Sequence, residues 1–405
     1  MHPMLKPALR RGWRDRDTVQ FGMTPAHALT LGPMDPATRG FLDLLNGTRG
    51  LPLLREEGRR MDLPDDRVDT LLERLTRAGL VDDARGGGPA ADALREKADV
   101  LRRLRPDLAA LSLTTAEPGD ALARLAARRA LRVQVRGAGR VGAVLASLLS
   151  GAGVGEVDVR DTGRVEPWDV APGGLPVESV GERRDRAARA AVRRAAPDRP
   201  PRHAHTPGSG GKDPGLTLVI LTPRDEVAVH APDPAAAEPL MASGTPHLYA
   251  GVVEGTGVVG PLVLPGDSGC ARCLHLGHTD RDPAWPRLTA QWRCARARRV
   301  GACDLTLATT VAGLAAAHAL TFLDGESPSG TNTRWEVSPP GLHWQARPVP
   351  PHPACGCGAT ERGKKREHSS TGGAPRATMA VQRPSPELRR MAGSTRPTGT
   401  WRAHV

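Results

Sequence analysis

The chain has 405 residues, 39% hydrophobic and 25% charged, which is enough to bury a sizeable core in two or three domains. Its 46 Gly and 38 Pro follow no Gly-X-Y repeat, so a collagen-like chain is excluded. The formal net charge is +12, but residues 361–405 alone carry ten Lys/Arg against three Asp/Glu. Because the remaining charges are mixed and only 3% of the residues are aromatic, we expect no nucleic-acid partner.

The N-terminal segment and the most apolar stretch indicate where the protein resides. The N-terminal MHPMLKPALRRGW lacks the apolar core and cleavage site of a signal peptide, so we expect a cytoplasmic protein. The most apolar stretch, 305–323, is rich in Ala and Thr and predicts a buried helix rather than a membrane-spanning one. We therefore expect no membrane partner. Six Cys in such a chain indicate a metal or redox site rather than disulfides.

The first predicted domain covers residues 1–83. Residues 18–31 predict two short strands around a Thr-Pro turn, 37–47 a helix, and the run 62–83 a helix with one leucine stripe that stops at Gly79. This order predicts a small winged-helix-like α+β domain. It is either a helical subdomain without a recognition role or a module that binds DNA or a peptide. We favour a peptide, because a hairpin edge accepts an added strand through main-chain hydrogen bonds.

A helical linker is predicted over 84–130. It opens on the glycine-rich ARGGGPAAD at 84–92, and helical patterns follow at 94–113 and 121–130. Later in the chain, the Pro- and Gly-rich stretch 197–215 predicts a surface loop, and 359–405 predicts a disordered basic tail.

A glycine loop opens the second domain. Residues 131–160 read as a strand, the pattern Gly137-x-Gly139-x-x-Gly142, an apolar helix and a second strand that ends at Asp161. Such glycines permit a tight turn and close approach of the backbone to a phosphate, and an acid at this position accepts hydrogen bonds from ribose hydroxyls. The segment therefore predicts a nucleotide-binding βαβ unit, the alternative being a tight turn alone. Dinucleotide oxidoreductases and adenylating enzymes share this opening.

Two short-spaced cysteine pairs follow, Cys270-x-x-Cys273 and Cys355-x-Cys357, with 81 residues between Cys273 and Cys355. Four thiolates brought together make a closed tetrahedral site of the kind that binds Zn²⁺ structurally. The alternatives are two solvent-near thiol pairs or a regulatory disulfide.

Other potential metal donors lie nearby. We expect three histidines to be surface residues, because four thiolates already fill a zinc shell: His275, His278 and His352. Cys294 and Cys303 have no spaced partner and are expected to be small buried apolar residues rather than nucleophiles.

These motifs together resemble the ThiF/MoeB/HesA family, relatives of the ubiquitin-activating enzymes. Residues 131–358 carry the resemblance through the glycine loop, LTLVILTP, PHLYAGVVEGTGVVGPLVLPG, CARC and CGC. It implies an α/β fold with a Rossmann-like ThiF-type domain, ATP with Mg²⁺ held by the glycine loop and Asp161, and structural zinc on the four cysteines. The family adenylates the C-terminal carboxylate of a small protein or peptide, and its members pair as homodimers, so a homodimer is expected.

Few of the catalytic residues that the resemblance implies are present in this sequence. EPWDVAPGGLP, at 166–176, stands where the family has Asn-Leu-x-Arg-Gln, and it contains no arginine. Arg184 stands at the position of the family's lysine. The metal-binding aspartate falls on Thr222–Pro223, with Asp225 two positions later. Arg184 and Asp225 are thus the only catalytic candidates, and we expect adenylation to be weak or absent, because that reaction needs positioned cations.

Residues 18–83 resemble the PqqD-like element with which precursor-binding proteins of thiazole/oxazole-modified microcin pathways hold a leader peptide. The resemblance implies a protein that binds a precursor peptide for a separate modifying enzyme of the cyclodehydratase type. An active ATP-dependent adenylyltransferase is the alternative. An NAD-dependent oxidoreductase is disfavoured, since no catalytic His/Lys/Tyr set is evident.

Overall fold

The computed structural model describes residues 1–64, 66–198, 216–294 and 301–360. All of them fall within the unit Met1–Thr360. From residue 361 onward, the predicted basic tail lies outside the described residues, and so does the predicted loop 197–215 from residue 199 onward.

Short strands and three helices make up the first 83 residues. The strands are β1 (Pro3–Leu5), β2 (Arg11–Trp13), β3 (Val19–Phe21), β4 (Leu29–Leu31) and β5 (Val81–Asp83). The helices are α1 (Pro36–Leu44), α2 (Leu51–Arg60) and α3 (Arg67–Arg77). β2, β3 and β4 form an antiparallel sheet in that order, and β1 pairs antiparallel with β5. The predicted strands and helices are present, whereas the winged-helix assignment stays a prediction.

Local sequence explains these helices. Asp35 accepts a hydrogen bond from the Thr38 N–H at 2.7 Å, and Pro36 occupies the first turn of α1, where its missing N–H costs nothing. α1 ends at Leu44, three residues before the predicted end. The predicted leucine stripe of α3 is buried against β3 and α1: Val68, Leu71, Leu72 and Leu75.

Four helices connect this part to the large sheet: α4 (Gly88–Arg95), α5 (Ala98–Arg103), α6 (Arg105–Thr114) and α7 (Asp120–Arg128). The glycine-rich stretch 84–92 is a connector only in part, because α4 begins at Gly88 with Pro89 in its first turn. These helices bury an apolar cluster of their own around Leu94, Leu104 and Leu125.

Two polar contacts tie the N-terminal residues to these helices. The Lys6 ammonium is buried and donates to the Thr115 carbonyl at 2.7 Å, and the Gly119 N–H donates to Asp82 at 2.7 Å. On the other side, Arg128 of α7 forms a buried ion pair with Asp324 at 2.6 Å. Buried polar groups with partners fix one arrangement, because an alternative would leave them unpaired.

The second half is built on a seven-stranded sheet. Its strands are β6 (Arg132–Arg136), β7 (Glu156–Arg160), β8 (Leu218–Leu221), β9 (His247–Val253), β10 (Thr256–Val263), β11 (Thr333–Val337) and β12 (Gln345–Pro348). The spatial order is β12-β11-β10-β9-β8-β6-β7, with β6 to β9 parallel and β10 to β12 antiparallel. This confirms the predicted mixed α/β fold. The order changes direction at β6, so the carboxyl ends of β6, β7 and β8 meet at a switch point where ligands bind in such sheets.

Helices accompany the sheet: α8 (Arg140–Gly151), α9 (Arg184–Ala195), α10 (Glu226–His230), α11 (Pro234–Ala242), α12 (Ala271–Arg281), α13 (Trp285–Cys294) and α14 (Leu305–Leu323). Single 3-10 turns lie at Pro167–Asp169 and Val177–Ser179. Among the described helices, α14 alone is long and apolar enough to cross a membrane. It packs against α8, β9 and β10, and Val311, Ala312 and Ala315 are fully buried, as predicted.

Candidate functional site

The glycine loop lies at the switch point, between β6 and α8. Gly137 has φ +109°, and a Cβ there would lie 1.9 Å from the Thr222 carbonyl oxygen at the end of β8. A Cβ on Gly142 would lie 2.1 Å from the Gly137 oxygen. Glycine is therefore required at both positions, because the loop presses against the next strand end and against its own helix.

Asp161 follows β7, and its side chain is only 7% exposed. Its Oδ2 accepts from the Ala138 N–H at 2.6 Å, and its Oδ1 lies 2.8 Å from Nη1 of Arg184. The first contact fixes the glycine loop, and the second neutralises the carboxylate. Each oxygen thus already accepts one hydrogen bond from the chain's own groups, which leaves less of the carboxylate for ribose hydroxyls.

Arg184, in the first turn of α9, also contacts a second buried acid. Its Nε lies 3.1 Å from Oδ2 of Asp169, and its Nη1 donates to the Thr162 carbonyl at 3.0 Å. Asp169, which is only 2% exposed, ends the turn Pro167–Asp169. Sequence reasoning missed Asp169, because a single acid in an irregular segment carries no periodic signal.

Arg224 lies over the glycine loop. Its Nη2 is 2.5 Å from Glu166 Oε2 and 2.9 Å from Asp169 Oδ1, and a Cβ on Gly139 would lie 3.2 Å from its Cγ. The hydrogen bond from Arg224 lowers the pKa of Glu166. Two arginines and three carboxylates therefore form one network at the strand ends, closed by Asp169, which both arginines share.

Two clefts flank Arg224. The first, of about 800 Å³, includes Arg136, Arg160 and Asp161 in its lining, and we call it the strand-end cleft. The second, of about 580 Å³, includes Gly139 and Arg140, and we call it the glycine-loop cleft. Because Arg224 and Pro223 line both, they form the boundary between the two spaces.

The glycine-loop cleft combines a helix N-terminus with a cation. Arg140, the first residue of α8, donates to the Trp168 carbonyl at 2.6 Å and to the Cys303 carbonyl at 2.8 Å. Glu226 lines the same space and accepts from the Glu254 and Ala302 N–H groups, each at 3.1 Å. The N-terminus of a helix favours anions, although three carboxylates, those of Glu166, Asp169 and Glu226, also line this cleft.

Asp225, the second catalytic candidate, caps α10. Its side chain accepts from the Val227 N–H at 3.0 Å and is exposed to solvent. Neither cleft includes Asp225 in its lining. Its contacts account for it as an N-cap, a role that aspartate commonly fills.

The four predicted cysteines come together. Cys270 Sγ lies 3.7 Å from both Cys273 Sγ and Cys355 Sγ, and Cys273 Sγ lies 3.6 Å from Cys357 Sγ. All four sulfur atoms lie within 4.8 Å of one another. A tetrahedron with metal–sulfur bonds of about 2.3 Å has edges of about 3.8 Å, so these thiols fit a zinc-type site.

Local contacts bring the two cysteine segments together. A Cβ on Gly269 would lie 2.1 Å from the Val349 carbonyl oxygen, so only glycine allows this approach just before Cys270. The His352 N–H donates to Cys273 Sγ at 3.3 Å. The hydrogen bond from Cys270 lowers the pKa of Cys273, whereas burial raises the pKa of Cys355.

The remaining donors lie outside this quartet. Among the described residues, the group of potential metal ligands contains the four cysteines and no histidine. His275 accepts from the Trp285 indole at 3.2 Å, and His352 contacts Asp280 at 2.8 Å. Cys294 is exposed at the end of α13, contrary to the expectation of burial, because it occupies the last turn. Cys303 is half-buried and lines the glycine-loop cleft, and burial raises its pKa.

Comparison with known families decides the classification. The model of the ThiF family matches residues 116–359, which is more than half of the chain. The chain belongs to the ThiF family. The match begins two residues after the end of α6, so it includes α7 together with the sheet and the cysteine quartet. No curated protein matches this ThiF-family chain significantly.

Solved structures share its fold. E. coli MccB with AMPCPP and selenomethionine MccA has a TM-score of 0.63 and 13% identity, over 89% of this chain and 100% of MccB. The microcin C7 biosynthetic enzyme MccB with N-formylated MccA has a TM-score of 0.61 and 13% identity, over 88% of this chain and 100% of that one. The heterocyclase TruD has a TM-score of 0.56 and 16% identity, over 90% of this chain and 44% of TruD.

Proposed function

We propose that this ThiF-family protein binds a precursor peptide and holds it for a separate modifying enzyme of the cyclodehydratase class, without adenylating the peptide itself. Two likenesses support this proposal: MccB was solved in complex with MccA, and TruD is a heterocyclase. The observation that carries the absence of adenylation is the engagement of Asp161 by Arg184 beside the glycine loop.

Adenylation needs free cations beside the phosphates. Arg184 occupies the place of the family's lysine, but its guanidinium is committed to Asp161, Asp169 and the Thr162 carbonyl, and it is 5% exposed. Such a group does not reach a triphosphate without breaking a buried network. The expected cost is on the order of a hundred-fold in rate for the missing cation alone.

The metal position is altered as well. Thr222 stands where the family places its metal-binding aspartate, and its hydroxyl donates to the Gly137 carbonyl at 2.9 Å. A neutral, buried hydroxyl committed to the backbone is a poor ligand for Mg²⁺, which prefers carboxylates and phosphates. This substitution supports a site that no longer turns over ATP.

The peptide is proposed to bind along the outer edge of β4. On the other side of the small sheet, α1 contacts β2: Asp43 pairs with Arg11 at 2.6 Å, and the Arg39 guanidinium lies 5.8 Å from the Trp13 ring centre. β4 is the opposite edge strand, and 41% of Leu29 is exposed there. An apolar side chain beside an unpaired strand edge suits an added peptide strand.

The adenylation part is tested by ATP–pyrophosphate exchange with the full chain and a candidate precursor peptide chosen from its gene neighbourhood. We expect exchange at background. An Asp161→Ala variant serves as the matched control, because genuine exchange depends on the nucleotide site. Exchange that is above background and is lost in this variant would overturn this part of the proposal.

Peptide binding is tested by fluorescence anisotropy with the same labelled peptide. Leu29→Glu places a charge beside the β4 edge and is expected to weaken binding about tenfold. Met23→Glu is the control, because Met23 is 75% exposed in the loop between β3 and β4. Absence of binding by the unmodified chain, or equal binding by both variants, contradicts the proposal.

An active adenylyltransferase is the second candidate. It is favoured by the glycine-loop cleft, where Arg140 stands at the N-terminus of α8 beside Glu226. In this case Arg140 supplies the cation beside the triphosphate, because Arg184 is engaged by Asp161 and Asp169. Arg140→Gln would then abolish pyrophosphate exchange and leave peptide affinity unchanged, which separates this candidate from the first.

A further inference from the structure

One face of the β6–β7 ladder is polar. The parallel register places three pairs of side chains opposite each other: Arg132 with Glu156, Gln134 with Asp158, and Arg136 with Arg160. The first pair is an ion pair at 3.0 Å, and in the second Gln134 donates to Asp158 at 3.2 Å. The third pair, at the mouth of the strand-end cleft, consists of two guanidinium groups. Directly opposed like charges destabilise a sheet.

Arg136 is the less compensated of the two. Its Nε donates to Gln134 Oε1 at 2.8 Å, and in the part of the chain that the structure describes it forms no ion pair. Burial and the neighbouring Arg160 lower the pKa of Arg136. Arg160 contacts Asp158 at 3.1 Å, but Arg189 shares that carboxylate at 3.2 Å. Fewer carboxylates than arginines therefore lie at this end of the β6–β7 ladder.

The surrounding cleft has the same imbalance. Five arginines and three aspartates are among the described residues that line its roughly 800 Å³; apart from Arg184, Arg224 and Asp161, which belong to the network described above, three arginines remain against two aspartates. This volume is that of a small-molecule site, and it lies at the carboxyl ends of parallel strands, where open α/β sheets bind ligands. Asp161, the natural acceptor for ribose hydroxyls, is engaged by Arg184 and Ala138.

We propose that the strand-end cleft binds a nucleotide whose ribose carries a phosphate monoester, with that phosphate between Arg136 and Arg160. A phosphate dianion between two guanidinium groups replaces their repulsion with charge-assisted hydrogen bonds. At this place in a Rossmann-type sheet, a free acid selects unmodified ribose hydroxyls, whereas arginine accommodates a ribose phosphate. Here the acid is engaged and the arginines face the cleft. The inference is independent of peptide binding.

Calorimetric titration of the full chain tests this assignment, with 2′-AMP, 3′-AMP, 5′-AMP, adenosine and inorganic phosphate as separate ligands. We expect 2′-AMP or 3′-AMP to bind at least about tenfold more tightly than the other three. Arg136→Gln and Arg160→Gln are each expected to remove most of that preference. Arg102→Gln is the control, because Arg102 is an exposed arginine paired with Asp99 on α5.

Equal affinity for 5′-AMP and the ribose-phosphorylated nucleotides would overturn the proposal, and so would absence of binding by all five ligands. Inorganic phosphate binding as tightly as 2′-AMP and 3′-AMP would also overturn it, since the site would then recognise a bare anion. If Arg136→Gln fails to fold, the exposed Arg160→Gln still decides the question. Unchanged affinity in Arg160→Gln counts against the assignment.

Discussion

Arg184 and Asp161 form a buried ion pair, with 2.8 Å between Nη1 and Oδ1, in the place where a nucleotide-binding acid would normally face its ligand. Asp169 holds the same guanidinium from the other side at 3.1 Å. The charges that nucleotide chemistry would use are thus directed at each other, and they stabilise the loop between β7 and α9.

Removing the arginine tests this structural role. Arg184→Gln leaves Asp161 and Asp169 buried without their cation, so we expect a loss of about 3–5 kcal/mol in the free energy of unfolding. Urea unfolding measures it. The double variant Arg184→Gln/Asp161→Asn should recover part of the loss, because it removes one unpaired charge. A loss below about 1 kcal/mol would show that the pair is dispensable.

Gly137 tests the close approach at the switch point. Gly137→Ala combines a positive φ with a Cβ 1.9 Å from the Thr222 oxygen, and we expect it to destabilise the fold by about 2–4 kcal/mol. Gly181→Ala is the matched control: Gly181 also has a positive φ, +88°, but nothing lies within 4 Å of its Cβ position. That variant should lose only about 1 kcal/mol. Equal melting temperatures for the two variants would contradict the steric argument.

The cysteine quartet predicts a stoichiometric metal. Elemental analysis of the purified chain should find about one zinc per chain, and a strong chelator should lower the melting temperature. Cys355→Ser should lose the metal, whereas Cys294→Ser should keep it, because Cys294 is exposed and lies outside the quartet. Freshly purified chain without metal would refute the zinc assignment.

His278 predicts a loss of stability in acid. Its ring stacks on Trp285 at 4.2 Å between ring centres, and burial, followed by Arg281, Arg334 and His230, lowers its pKa to about 4. Between its ordinary pKa of 6.5 and about 4, the unfolded chain binds a proton that the folded chain does not, so stability falls as the pH falls. We expect about 1–2 kcal/mol after solvent screening.

The matched measurement compares urea unfolding at pH 7 and pH 4.5 for the unmodified chain, His278→Phe and the exposed His343→Phe. The first variant should show a smaller decrease in stability than the unmodified chain, and the second the same decrease. Because all three keep the cysteine quartet, metal loss in acid cancels in the comparison. An identical decrease in all three would exclude His278 as the cause.

Much of the fold was predictable from local patterns. The alternating strand before Gly137, the leucine stripe of α3 and the apolar α14 each carry a period that burial imposes on sequence. The cluster of four cysteines was predictable because a structural metal site demands a particular donor and spacing. β1, β2 and β5 were missed, because three residues are too few to show a period and, unlike β3 and β4, these strands do not flank the Thr-Pro turn that indicated a hairpin.

The polar network was not predictable in the same way. Arg224, Asp169 and Arg140 lie in loops or at a helix start, and their contacts join segments up to 163 residues apart, as between Arg140 and Cys303. No local pattern records such a pairing. Asp225 is the opposite case: its position in the sequence suggested a catalytic candidate, whereas in the structure its side chain caps α10. The ligand assignments for Asp161 and the glycines stay predictions, as do the winged-helix class, the homodimer and the cytoplasmic location.

The buried Lys6 makes the first 83 residues depend on the helices that follow them. Its ammonium group donates to the Thr115 carbonyl, and the Asp82 carboxylate accepts from the Gly119 N–H. A fragment ending near residue 83 would leave a lysine stranded without its acceptor, and the complementary fragment would lose the partners of its first helices. The N-terminal module, for which we propose peptide binding, is therefore better studied with α4 to α7 attached than excised alone.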